Sequence, residues 1–219
     1  MANLVSRTKI LIVDDHAMVR EGLRLRISAF PDLEICGEAS TEEEALSLVK
    51  ETNPSLVIID ISLKSGHGIE LIKRVKAIDP KVKMLVSSGF QESLYAERAL
   101  RAGALGYLNK QESGEKVIDA IRTILRGERY VSATITQRLV SQALGNRSES
   151  TSPIDLLSDR ELQIYRMIGN GKTSGAIAGE LFLSTHTIDT HRENIKRKLG
   201  LKNAAELSRH AVQFLLENS

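Results

Sequence analysis

Several apolar runs of this sequence end on groups suited to metal or phosphoryl chemistry. Ile10–Val13 runs into Asp14 and Asp15, Leu56–Ile59 into Asp60, Val82–Val86 into Ser87 and Ser88, and Ala104–Leu108 leads to Lys110. If these runs are strands of one open parallel sheet, their carboxyl ends line the ligand crevice. Three carboxylates, a hydroxyl and an ammonium then converge on one rim. Clustered carboxylates repel one another and call for a cation, and an all-oxygen ligand set suits Mg²⁺. A lysine and a hydroxyl beside them suit the added negative charge of a phosphoryl group.

A second constellation lies near the other end. Residues 151–219 carry nine Lys and Arg against eight Asp and Glu, yet Arg192 to Lys202 holds five basic residues against one acid. That concentration suits phosphate contacts. The cluster falls in a helical stretch, Thr185 to Leu199, that would bury Ile188, Ile195 and Leu199. Before it comes a short helical stretch, Thr173 to Leu181, with Ile177, Ala178 and Leu181 inward. Phe182-Leu183-Ser184 makes the turn, with Ser184 as an N-cap. Two helices so joined read as a helix-turn-helix, whose second helix enters the major groove N-terminal end first. His186, Asp189, Thr190 and Glu193 would be exposed there. The two acids could accept from cytosine amino groups or position neighbouring cations. Gly175 and Gly179 stand inside the short helix, where glycine costs roughly 1 kcal/mol relative to alanine.

The elements that must position these groups change rhythm along the chain. From Lys9 to about Arg126, short apolar runs (Leu33–Cys36 is the fifth) alternate with amphipathic stretches such as Val19, Leu23 and Ile27. Runs without polar alternation read as strands buried on both faces. Thr41-Glu42-Glu43-Glu44 is a capping-box pattern opening the second helix. Repeated strand–helix units imply right-handed crossovers and a parallel sheet covered on both sides. A helix over Gly114 to Leu125 and a short one over Thr134 to Leu144 follow. Gly145 to Pro153 is small and polar and reads as a linker. Beyond it only helical periodicity remains, with capping boxes at Ser158–Glu161 and Asn203–Glu206. The expected domains are therefore 1–126, a linker over 127–156, and 157–219.

Composition narrows the classes. Of the 219 residues 42% are hydrophobic and 26% charged, the balance of a globular protein. A net charge of +2 does not announce a nucleic-acid binder, so such a function must rest on local clustering. Cys36 is the only cysteine and is expected in a strand within the core. No apolar stretch approaches the roughly 18 residues that span a bilayer, and a cytoplasmic location is expected. His16, His67 and His210 show no metal-ligand spacing.

Ile-Leu-Ile-Val-Asp14-Asp15-His, Val-Ile-Ile-Asp60-Ile-Ser-Leu with Gly68 eight positions on, Leu-Val-Ser87-Ser88 and Gly106-Tyr107-Leu-Asn-Lys110 together resemble the receivers of two-component response regulators. The resemblance spans residues 9 to about 126. It implies a flavodoxin-like α/β fold of five parallel strands in the order 2-1-3-4-5. It also implies that Asp60 accepts a phosphoryl group from a sensor histidine kinase. Asp14, Asp15, Asp60 and the backbone carbonyl of Ser62 would hold Mg²⁺, and Ser87 and Lys110 would bind the phosphoryl oxygens. Ser87 moving toward that group would let Tyr107 turn inward as a switch. Lys64 replaces the family's usual proline, and Gln111 replaces an acid or proline after Lys110.

The segment from Leu157 to Ser219, through Gly171-Lys-Thr, Leu181-Phe-Leu-Ser184 and Ile195-Lys-Arg-Lys-Leu199-Gly200, resembles the all-α LuxR-type helix-turn-helix. With a receiver in front it is similar to the NarL/FixJ class. The resemblance implies base-edge contacts at Asp189, Thr190 and Glu193, with Thr187, His191, Lys196, Arg197 and Lys198 nearer phosphates. A regulator of this kind dimerises when phosphorylated, through its last helix among other surfaces, and binds palindromic DNA. RNA polymerase is a further candidate partner. It is not an enzyme, apart from slow removal of its own phosphoryl group. Two other classes compete: a protein–protein adaptor with weak or lost DNA binding, and a Mg²⁺-dependent phosphohydrolase using Asp60 as nucleophile.

Overall fold

The computed structural model describes residues 7–63, 66–144 and 153–217. Lys64 and the linker stretch over 145–152 lie outside the described residues. The chain forms two compact units, Met1–Leu139 and Val140–Ser219.

The first unit alternates strand and helix. In order they are β1 (Thr8–Val13), α1 (Ala17–Ser28), β2 (Leu33–Ala39), α2 (Glu42–Thr52), β3 (Leu56–Ile59), α3 (Gly68–Ile78), β4 (Lys83–Ser88), α4 (Glu92–Ala102), β5 (Gly106–Asn109) and α5 (Gly114–Leu125). The strands are all parallel, in the order β2-β1-β3-β4-β5. Alternating side chains divide the core between two faces. Ile10, Ile12, Ile58, Leu85 and Leu108 pack with Leu23 and Ile27 of α1 and with Val117, Ile121 and Ile124 of α5. Leu11, Val13, Val57, Ile59 and Val86 are equally buried on the other face. There α2, α3 and α4 lie side by side. The chain then continues into α6 (Ala133–Ala143).

Local chemistry moves some boundaries. The second strand runs past Cys36 to Ala39 because its register slips: Ile10 faces Ile35 but Leu11 faces Gly37. Cys36 is the extra residue of this bulge. It is half-buried, not in the core, and its thiol donates to Thr52 Oγ1 at 3.3 Å. The fifth strand starts at Gly106 instead of Ala104. The left-handed Gly103 (φ 119°) lets Ala104 N turn back to Ala99 O at 3.0 Å and close α4. At the start of α2, Thr41 accepts from Glu44 N, but the Glu44 carboxylate takes Ser40 N and Oγ at 2.8 and 2.9 Å. The reciprocal bond of the expected capping box has moved one residue back.

The second unit is helical: a 3₁₀ turn over Pro153–Leu156, then α7 (Asp159–Gly169), α8 (Ser174–Glu180), α9 (Thr185–Leu199) and α10 (Ala204–Glu217). Leu162, Tyr165, Ile168, Ile177, Ile188, Ile195, Leu207 and Ala211 form its core. Leu199 is only half-buried, because α9 ends there at the left-handed Gly200. Ser158 Oγ accepts from Glu161 N at 3.3 Å while Glu161 Oε2 accepts from Ser158 N at 2.7 Å, a complete capping box. Asn203 begins α10 by accepting from Glu206 N at 2.9 Å.

The two α8 glycines face open space, and a Cβ at either would meet nothing within 4 Å. Neither has a positive φ. Gly179→Ala is therefore expected to stabilise the second unit by about 0.5–1 kcal/mol, through lower backbone entropy in the unfolded chain. The check is the thermal midpoint of that unit; a fall would contradict the packing described.

Candidate functional site

The carboxyl ends of β1, β3 and β5 bring the expected acidic pocket together. Asp14 and Asp60 are both buried, and Lys110 Nζ lies 2.7 Å from Asp14 Oδ2 and 2.7 Å from Asp60 Oδ2. Burial pushes the Asp60 carboxyl above the usual carboxylate range, against the opposing pull of Lys110. For Lys110, burial acts to lower the ammonium, but its bonds to Asp14 and Asp60 outweigh this and raise it. The lysine is held charged between two acids.

The remaining lone pairs fit a hard cation. Oxygens of Asp14, Asp15 and Asp60 lie within 4.8 Å of one another, a group that also takes in His16 Nδ1. Asp60 Oδ1 and Asp15 Oδ1 are buried and accept no hydrogen bond among the described residues. Buried acceptors without donors are costly, and a divalent cation liganded by oxygen relieves both. Ser62 turns its backbone N–H toward the Asp60 carboxylate. Gly68 shows why no side chain fits at the start of α3: its Cβ would lie 2.3 Å from the Asp60 carbonyl oxygen. His16 is the residue that spacing did not reveal. It sits before α1, with Nδ1 2.7 Å from Asp15 Oδ1 and 3.2 Å from Asp14 Oδ1. Its place directly after the acid pair was the available signal.

The two serines part company. Both lie inside β4, so they point to opposite faces. Ser87 pairs with Leu108 on the face of α1 and α5. Ser88 follows Val86 onto the face of Tyr107, in hydrogen-bonding reach of its phenol. Coupling of Ser87 to Tyr107 is thereby contradicted, since the sheet stands between them; the hydroxyl on that side is Ser88. Tyr107 is already inward, donating to Phe90 O at 2.8 Å, and burial drives its phenol well above the ordinary range. Ser88 Oγ accepts from Phe90 N at 3.2 Å.

In the second unit His186, Asp189, Thr190 and Glu193 are exposed on the N-terminal half of α9, as expected. Ser184 caps that helix, accepting from Thr187 N at 3.1 Å. Several groups are engaged internally. Asp189 Oδ1 accepts from Ser174 Oγ at 2.9 Å, and Glu193 pairs with Lys196 at 2.8 Å. Lys198 is drawn 2.6 Å from the buried Glu161 and so braces α9 against α7. That placement contradicts a simple phosphate role for Lys198. His191 Nδ1 is buried and has no hydrogen-bond partner among the described residues, and burial, aided by Arg160, lowers its imidazole. The shift favours the neutral ring, a hydrogen-bonding group, over the cation. Arg192, half-buried inside the basic cluster, makes no ion pair among the described residues.

Two outcomes follow from these charges. Lys110→Ala leaves two buried carboxylates facing each other, and should destabilise the first unit by about 3 kcal/mol in metal-free buffer. Millimolar Mg²⁺ should recover more stability in this variant than in the wild type, read as thermal midpoints with and without the ion. For Glu161, burial acts to raise the carboxyl, but Lys198 and the Ser158 amide and hydroxyl outweigh it, leaving it below the ordinary range. Its contribution is complete above the unfolded carboxylate range and lost as pH falls through the lowered folded value. Glu161→Gln should thus melt below wild type at neutral pH and converge with it in acid.

Comparison with known proteins agrees with this geometry. Residues 10–122 match the response regulator receiver domain, and residues 155–211 match the bacterial regulatory proteins of the luxR family. The response regulator GacA of Pseudomonas aeruginosa is 34% identical over 205 residues, covering 94% of this chain and 95% of GacA. The oxygen regulatory protein NreC of Staphylococcus aureus is 35% identical over 210 residues, covering 94% and 97%. A LuxR-family response regulator from Aurantimonas aligns with a TM-score of 0.58 at 34% identity, over 64% of this chain and 99% of that one. RcsB from Salmonella enterica serovar Typhimurium, solved on the promoter P1flhDC with the phosphomimetic BeF₃⁻, aligns with a TM-score of 0.68 at 22% identity, over 94% and 98%. The chain belongs to the response-regulator family, in its NarL/FixJ class, with a receiver domain followed by a luxR-type DNA-binding domain.

Proposed function

We propose that Asp60 is the phosphoacceptor of this regulator and that its phosphorylation by a sensor histidine kinase controls DNA binding by α9. The observation that carries the reading is the Lys110 bridge. It occupies one oxygen of Asp60 and leaves the other, Oδ1, buried with no well-formed hydrogen bond among the described residues. In the transfer, the Asp60 oxygen forms a bond to phosphorus as the P–N bond to the kinase histidine breaks. The imidazole keeps that electron pair. Mg²⁺, held by Asp14, Asp15, Asp60 and the Ser62 carbonyl, would neutralise charge on the transferring group. Lys110 pairs with the phosphoryl oxygens, and the hydroxyl role moves from Ser87 to Ser88, which faces Tyr107. Slow self-dephosphorylation is the reverse demand on the same pocket, with water as the acceptor.

For the output unit, the reading assigns base edges to Thr190 and, through their exposed faces, Asp189 and Glu193. Thr187, Arg192, Lys196 and Arg197 approach phosphates, and His191 contributes a neutral donor. RcsB, bound to a promoter with a phosphomimetic, supports DNA as the partner and phosphorylation as the control. Another RcsB structure holds two dimers on two parallel DNAs, which supports a homodimer on DNA. RNA polymerase remains a partner to test. Among the described residues no helix is long and apolar enough to cross a membrane, in keeping with a cytoplasmic regulator. The internal engagement of Asp189 and Lys198 keeps the adaptor reading in play.

One experiment addresses both halves. A small phosphodonor with Mg²⁺ should label the wild type and leave Asp60→Asn unlabelled; equal labelling would refute the phosphosite. Phosphorylated protein should then enrich palindromic fragments from genomic DNA, with affinity falling steeply with salt and Lys196→Ala reducing the salt slope by about 1. No enrichment would leave the adaptor.

A further inference from the structure

The chain does not leave the first unit after α5. Its backbone returns along the free edge of β5: Tyr107 N donates to Tyr130 O at 2.9 Å, and Tyr130 N to Leu105 O at 3.0 Å. Gly106 and Tyr130 form a parallel bridge, and a Cβ at Gly106 would strike Tyr130 O at 2.7 Å. Ser132 then caps α6, its Oγ accepting from Ile135 N at 3.3 Å. The backbone N of the same residue donates to Glu92 Oε1, in the first turn of α4, at 2.9 Å. Further along, Arg138 reaches Ser93 O at 3.4 Å and Glu97 Oε2 at 3.7 Å. Ile135 is buried, and Arg138 and Leu139 follow it at helical spacing on the same half-covered face.

These contacts meet the exit of the phosphorylation pocket. The peptide of Phe90 is gripped from both sides, its N–H by Ser88 Oγ and its carbonyl by the Tyr107 hydroxyl. The first residue of α4, Glu92, is two positions on, and Tyr107 also gives its backbone N–H to Tyr130. Tyr107 thus serves both sides, its hydroxyl holding Phe90 and its backbone N–H holding Tyr130 just before α6. A Ser88 hydroxyl recruited by a phosphoryl oxygen would leave Phe90 N, and α4 would lose one of the bonds that fix its entry.

We infer that α6 is the element on which the phosphorylation state is read: docked on α4 while Ser88 holds Phe90, and released when Ser88 turns to the acyl phosphate. The inference rests on the assignment of Asp60 as phosphoacceptor. The docking is built for release. Among the described residues it includes exposed polar contacts, each of which shifts an equilibrium only a few-fold, around the buried Ile135. Near-balanced states are the ones a modest differential interaction can tip. A freed helix of this length is marginal in water, so release is readable as fraying.

Hydrogen exchange of the full chain, followed by mass spectrometry over residues 132–139, tests this. Acetyl phosphate with Mg²⁺ should add the mass of one phosphoryl group and speed exchange in that peptide by at least about five-fold, with neither change in Asp60→Asn. Arg138→Gln should speed exchange about two- to five-fold without any donor, and the charge-swapped pair Glu97→Arg with Arg138→Glu should return it toward wild type. Full phosphoryl mass with unchanged exchange would overturn the inference alone, as would an Arg138→Gln protein that exchanges like wild type. Absence of the mass increase would overturn the phosphosite itself and the inference with it.

Discussion

One constraint governs the first unit: two carboxylates, Asp14 and Asp60, are buried at the ends of adjacent parallel strands and share one ammonium. Like charges so close, and out of water, cannot both remain ionised without a cation between them. Lys110 supplies it from the far side of the sheet, at the end of β5. The strand order, with β3 and β4 between β1 and β5, and the close seat of Gly68 on Asp60 are the geometry that makes the bridge possible. The compensation is incomplete: among the described residues Asp60 Oδ1 accepts no well-formed hydrogen bond, and Asp15 Oδ1 has only the His16 imidazole, 2.7 Å away. A site left short of positive charge invites a hard cation. Its instability is therefore part of its chemistry.

The consequences spread through few atoms. Ser88, Phe90 and Tyr107 form a short hydrogen-bonded relay at the mouth of β4, and α4 begins where it ends. Aromatic packing lies beside it, Phe90 stacked on Tyr95 at 5.1 Å and His67 against Tyr95 at 6.3 Å. By contrast α5 is held by burial, with Val117, Ile118, Ala120, Ile121 and Ile124 in the core, and Arg122 adds a two-pronged pair with Asp32 and lies over Phe30 at 5.4 Å.

In the second unit the charges serve two purposes at once. Lys198 and Glu161 hold α9 against α7, and the Glu161 carboxylate also completes the cap of α7. Part of the basic cluster is thus structural, and the DNA-facing charge is smaller than a count of lysines and arginines suggests. The left-handed Phe182 (φ 53°) in the turn lets Leu183 N reach Ala178 O at 2.9 Å, ending α8 and aiming α9. The strain of an aromatic residue in that conformation is offset by the turn it permits.

Much of this was legible before any coordinates. Unbroken apolar runs ending in Asp14, Asp60 and Lys110 required a parallel sheet with those groups on one rim, because only strand ends in such a sheet converge. Ser158, Ser184 and the apolar spacing of Ile188 and Ile195 placed α7 and α9, because caps and periodicity are local properties. What tertiary structure decided was every choice between neighbours and every partner distant in sequence. Ser87 and Ser88 are equivalent in a string of letters; only their positions within β4 and the pleat show which one faces Tyr107. Cys36 reads as core until the register slip at Leu11 makes it the unpaired residue of a bulge. Lys198 belongs to a basic run until Glu161, 37 residues away, claims it. Tyr130 and Arg138 carry no motif, yet they lie on the β5 edge and on α4. Periodicity and capping are written along the chain, whereas pairing across space depends on how independently formed elements meet.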